Sequence, residues 1–268
     1  MGLKLVAAAA ALALASPASF VQSRQLPDGG FAERGGKSSP ELTAWAVLGL
    51  RAAGIATPKA HDYLVAHEDD VVKVTDVELA VAAEAASGGA SLRLLARLRA
   101  AQRPNGAIGP LVNSTIWGVL ALQQAGQPIS VATARYLRAH QARSGGWAWA
   151  PGIAPDSNDT AAAVEALVGL NVRGAPIRRA LAYLRRRQNR DGGFELQPGR
   201  GSDAQSTAWA IQAFLAARRD PGRRAFAYLR RLRRRDGSIR YSARYAATPV
   251  WVTSQVIPAL ARRSFPLR

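Results

Sequence analysis

Beyond its first twenty residues the chain alternates between two kinds of apolar segment, both with helical spacing. In the first kind, apolar positions three and four apart are separated by arginines. Ile177, Leu181 and Leu184, for example, are interleaved with Arg178, Arg179, Arg185 and Arg186. Such a helix buries one face and solvates the other. In the second kind almost every position is apolar, as from Thr160 to Leu170 and from Thr207 to Leu215. A helix of that composition is covered on most of its circumference. The first kind stops at glycine, which accepts the positive φ of a helix C-terminus. The second starts after Ser, Asp or Asn, the residues that cap helix N-termini. The pattern therefore predicts outer helices and inner helices in strict alternation.

The pairs are copies of one unit. Tyr183-Leu184 leads to Gln188, then Asp191-Gly192-Gly193-Phe194, then Ser206-Thr207-Ala208-Trp209. The same order recurs from Phe20-Val21 through Gln25, Gly29 and Phe31 to Thr43-Ala44-Trp45. It recurs again from Leu98 through Gln102, Gly106 and Ile108 to Thr115-Ile116-Trp117, and from Tyr136-Leu137 through Gln141, Gly145 and Trp147 to Asp159-Thr160-Ala161. Two units are degenerate. Arg233 replaces the Gln before Gly237 and Ile239, and Glu68 replaces it after Tyr63-Leu64, where Val72 stands for the Gly. The units end at positions 31, 74, 108, 147, 194 and 239. A stack of helix pairs must be capped or must close on itself. With no polar end cap in view, the expectation is an all-α (α/α)6 toroid of six helix-pair repeats spanning residues 19–268.

The spacing Gln-x-x-x-Gly-x-aromatic, seen at Gln25/Gly29/Phe31, Gln141/Gly145/Trp147 and Gln188/Gly192/Phe194, resembles the QW-type repeat of the prenyltransferase/squalene cyclase family. The resemblance covers the whole repeat region and implies the same α/α toroid, in a superfamily that also includes cobalamin carriers of the intrinsic factor and transcobalamin type. Its motif ties an outer helix to the following turn and implies nothing about chemistry. The superfamily's zinc-dependent prenyltransferases and thioester domains need cysteine, and this chain has none. Cyclases of the family share a D-x-D-D-T-A segment whose middle Asp is the acid. The matching stretch is Asp156-Ser157-Asn158-Asp159-Thr160-Ala161, with Asn158 at the acid's position. An amide carries no proton to give at useful pKa. Asp156 and Asp159 remain as candidate carboxylates, alongside the reading that they cap a helix.

Composition narrows the function classes. The absence of cysteine removes disulfides, thiolate metal ligands and catalytic thiols. The three histidines, His61, His67 and His140, have no ligand residues spaced beside them, so neither a metal nor a cofactor is expected. Lys4 followed by the apolar run Leu5–Ala15, with small residues at Ala13, Ala15, Ser16 and Ala18, reads as an export signal over residues 1–18, cleaved after Ala15 or Ala18. The competing reading is an Ala-rich helix of the fold. The run is too short to cross a bilayer, which takes about 20 residues. Net charge is +18, carried mostly by arginine. It suits a solvated outer face, or an anionic envelope polymer bound there. No aromatics interleave the Arg runs as nucleic-acid stacking would require.

A closed ring would surround a central pit. Trp45, Trp117, Trp209 and Trp251 are assigned to matching inner-helix positions, and Glu41, Asn113, Asp156, Asn158, Asp203 and Gln205 to the mouth. Two functions follow. One is a non-catalytic protein holding a small apolar or amphipathic ligand, or an envelope partner, in or at the mouth of the pit. The other is an isoprenoid-processing enzyme related to squalene and terpene cyclases. Arg262–Arg268 is expected to cover the gap that a shortened first helix leaves beside Phe20 to Gln25.

Overall fold

A computed structural model describes residues 15–267; most of the segment expected to be an export signal, up to Leu14, lies outside the described residues. Six short outer helices alternate with six inner ones. The outer helices are α1 (Pro17–Gln22), α3 (Pro58–Ala66), α5 (Leu92–Ala100), α7 (Val131–Ala139), α9 (Ala175–Arg185) and α11 (Arg223–Leu232). The inner helices are α2 (Pro40–Ala52), α4 (Val74–Ser87), α6 (Val112–Gln124), α8 (Ser157–Gly169), α10 (Ala204–Ala216) and α12 (Pro249–Leu260). Each inner helix packs on the next, and α12 packs on α2, so the ring is closed. At this seam the backbones nearly touch: a Cβ at Gly49 would lie 2.6 Å from the Ser254 carbonyl oxygen. Among the described residues no helix is long and apolar enough to cross a membrane.

The motif works as the pattern implies. The side-chain amides of Gln25, Gln141 and Gln188 donate to the carbonyls of Gly29, Gly145 and Gly192 at 2.8–3.0 Å. The apolar residue two positions after each Gly is buried, and its N–H donates to a threonine hydroxyl on the following inner helix. These pairs are Phe31–Thr43, Ile108–Thr115, Trp147–Thr160, Phe194–Thr207 and Ile239–Thr253, all at 2.9–3.0 Å. Gly192 has φ +91° and lies so close to α11 that a Cβ would sit 2.6 Å from the Arg224 carbonyl. Gly237 repeats that approach against the Ser16 carbonyl. The sixth turn thus docks on the first outer helix and joins the outer ring as well.

Two features depart from the sequence reading. In the second unit the buried residue after α3 is Val71, and Val74 instead opens α4. In addition, α1 begins at Pro17, capped by the Ser16 hydroxyl, inside the segment assigned to the leader. It is only six residues long, and a groove of about 560 Å³ lies between it, α11 and the end of α12, floored by Phe226, Leu229 and Leu260.

The outer arginines do more than solvate a face. Arg97 donates to the Val71 carbonyl at 2.6 Å, Arg186 to Ser144 at 2.7 Å, Arg231 to Asp191 at 2.6 Å and Arg233 to Ala15 at 2.7 Å. Each guanidinium staples its outer helix to a turn of a neighbouring repeat. Charge-assisted bonds to orphan carbonyls of this kind are among the stronger hydrogen bonds.

Candidate functional site

The threonines set a common register for the inner helices. Residues two before and two after each threonine are four apart, so they share one helix face. Two after the threonine stand Trp45, Trp117 and Trp209 on α2, α6 and α10, with Ala162 on α8 and Gln255 on α12. The three indoles come from every second inner helix and meet at the ring axis. Their centroids are 5.4, 5.5 and 6.2 Å apart at interplanar angles of 81–89°. Edge-to-face packing at these separations is favourable.

Trp251 does not match the other three. Thr253 shows that Gln255 holds the equivalent position, and Trp251 lies a turn nearer the mouth, on the level of Glu41, Asn113, Asn158 and Gln205. It nevertheless joins the cluster, 6.0 Å from Trp45. Gln255 accepts from the Trp209 indole N–H at 3.2 Å.

Below the indoles the bore is closed by the chain's own end. Phe265 is buried, stacked on Trp209 at 5.8 Å and edge-on to Trp117 at 6.1 Å. Its N–H donates to Glu165 at 2.6 Å, while Gln124 accepts from the Leu267 N–H at 2.6 Å and donates to the Leu267 carbonyl at 3.0 Å. The C-terminal stretch therefore enters the bore against α6 and α8. It does not cover the gap at α1, because the apolar Phe265 and Leu267 find partners at the axis. The pit expected from the ring is filled by five aromatic side chains.

At the mouth, Asp156 caps α8 by accepting from the Asp159 N–H at 2.8 Å. Asp159 is buried and accepts from the Asn113 side-chain amide at 2.6 Å. Burial, and then the neighbouring Asp156 carboxylate, push the Asp159 carboxyl up to about 8, against the opposing hydrogen bond from Asn113. Burial also raises Asp156. Two carboxyls this close do not both ionise easily, so the pair holds a proton at neutral pH. Asn158 stands beside them in the first turn of α8. Asp203 belongs elsewhere: it caps α10, accepting from the Ser206 N–H and hydroxyl at 2.7 Å each. Glu41 is exposed at the rim. The histidines serve local packing: His67 and His140 stack on Tyr63 and Tyr136, and His61 bonds Ser87.

A cleft of which the sequence marks only Asp203 opens beside the mouth, between the loops that precede α10 and α12. It measures about 500 Å³ and is lined by Asp191, Arg200, Tyr228, Tyr241, Arg244 and Tyr245, among others. The Tyr228 hydroxyl donates to the Ser202 carbonyl at 2.6 Å, and the Tyr241 carbonyl accepts from the Ala204 N–H at 2.7 Å. The walls are thus fixed to the ring. No repeat motif marks these loops, so their convergence left no periodic signal.

No family model matches the chain, and no curated protein does. Solved structures do. The type II terpene cyclase MstE from Scytonema, in complex with geranylgeranyl dihydroxybenzoate, superposes with TM-score 0.68 at 15% identity, covering 92% of this chain and 95% of that one. The ent-copalyl diphosphate synthase from Streptomyces platensis gives 0.61 at 17%, covering 83% of this chain and 50% of that one. A glycosidase gives 0.64 at 13%, covering 92% and 94%. At these identities the likeness is one of fold: the chain has the same α/α toroid as these proteins, and a fold does not choose a chemistry.

Proposed function

We propose that this chain is an exported, non-catalytic toroid that binds its partner at the mouth of the ring and not inside it. One observation carries the reading: Trp45, Trp117, Trp209, Trp251 and Phe265 occupy the axis where an isoprenoid chain would have to fold. Removing those rings from one another would forfeit stacking and burial worth several kcal/mol. Asn158 at the acid's position supports the same reading, as does the export signal.

A cyclase-like activity is the second reading, and Asp159 is what favours it. A carboxyl still protonated near neutral pH is a general acid in waiting. Incubation with squalene and with geranylgeranyl diphosphate, followed by mass spectrometry of the extracted lipids, separates the two. The expected result is unchanged substrate. A cyclised product made by the wild-type chain and lost in Asp159→Asn would overturn the non-catalytic reading.

A further inference from the structure

The cleft beside the mouth carries chemistry that the ring does not need. Its volume of about 500 Å³ lies in the usual range for small-ligand sites, roughly 300–1,000 Å³. Tyr241 and Tyr245 line it as accessible phenol rings, the latter 63% exposed, while Tyr228 is buried beneath them. Arg200 and Arg244 flank it, and neither guanidinium has a hydrogen-bond partner among the described residues, unlike the stapling arginines of the outer face. Asp191 spends one carboxylate oxygen on the Gly193 N–H and the Ser202 hydroxyl, and the other accepts no bond. The loop carrying Arg244 and Tyr245 is a tight turn in which the Ser242 hydroxyl accepts from both of their N–H groups at 3.2 Å. The Arg200 loop is latched by the Gly199 N–H donating to Glu195 at 3.0 Å. The site is therefore built in advance of any ligand.

From this arrangement we infer that the cleft binds an acidic sugar residue of an anionic polysaccharide. The exposed Arg244 guanidinium, with Arg200 beside Asp203 on the other flank, can pair with a ligand carboxylate in forked geometry. The second Asp191 oxygen is exposed to solvent and can accept from a sugar hydroxyl, a donor that a phosphate diester does not offer. Tyr241 and Tyr245 offer flat apolar faces with hydroxyl tips to a ring that is itself apolar on its faces and polar at its edge. A nucleic-acid strand would want a track of cations, and here two carboxylates, Asp191 and Asp203, stand beside the two arginines. The wider charge of +18 draws a polyanion toward the surface. This site rests on the mouth-binding reading above and specifies its ligand.

Calorimetric titration of the full chain with trigalacturonate, at about 0.15 M ionic strength to screen diffuse attraction, tests it. Binding is expected, weakened about tenfold in Tyr245→Ala and in the double variant Arg200→Ala/Arg244→Ala. The distant pair Arg138→Ala/Arg143→Ala removes the same charge and is expected to leave the affinity unchanged. Absence of binding overturns the assignment, as does equal loss in both double variants. Tighter cleft-dependent binding of oligothymidylate or of the neutral trigalactose overturns it too. A cyclised isoprenoid product would sink the non-catalytic reading while leaving this titration intact, so the two failures are distinct.

Discussion

Asp159 shows how a single side chain couples the site to stability. Its carboxyl titrates at about 8 in the folded chain, against an ordinary value of 3.8. Between those values the folded chain holds a proton that the unfolded chain has released, so stability falls as pH rises through that window. Asp159→Asn keeps an oxygen for the Asn113 amide and carries no charge to desolvate. In thermal denaturation, the melting temperature of Asp159→Asn minus that of the wild type should therefore rise from pH 5 to pH 9. A difference that stays flat would mean that the pair does not retain its proton. In the sequence, Asp156 and Asp159 mark the start of a helix, where carboxylates either cap it or serve a site. The structure divides these roles by residue: Asp156 makes the cap, and Asp159 is the buried carboxyl bonded to Asn113.

At the scale of elements, the helix pairs and their order were legible because each unit repeats the same Gln, Gly and buried apolar residue. Register within the inner helices was not. Trp251 looked equivalent to Trp45 because both are tryptophans near a helix start, whereas the threonine that receives the preceding turn's N–H defines the true alignment. Phe265 was invisible for a different reason. It follows the last helix, belongs to no repeat, and is placed by the space left among Trp117 and Trp209, by its own N–H donating to Glu165 and by the bonds between Leu267 and Gln124. The C-terminal element should accordingly depend on that one ring. Phe265→Ala is expected to release the tail, shift tryptophan emission to the red and raise its quenching by acrylamide. The stability cost should be up to about 3–5 kcal/mol, the usual range for a buried Phe→Ala change. Unchanged emission would contradict the placement of the tail in the bore.

For the whole molecule, the outer ring is completed where Gly237 meets the backbone of Ser16. Cleavage of the proposed export signal would therefore bear on ring closure. A chain beginning at Ser16 keeps α1 and its cap, while one beginning at Ser19 loses both. The Ser19 form is expected to unfold at lower urea, by about 1 kcal/mol or more, the typical worth of an N-cap with part of its helix. Coincident urea transitions for the two forms would show that the seam does not need residues 16–18.

The contact between α12 and α2 has a further consequence for how the molecule comes apart. In an open stack the terminal repeats have one neighbour each and fray first, so stability is close to a sum over units. A ring has no terminal unit. Excising any helix pair breaks two interfaces instead of one, and the weak second and sixth repeats are held from both sides. Loss of structure in one sector must spread around the circle, and unfolding becomes a single concerted event.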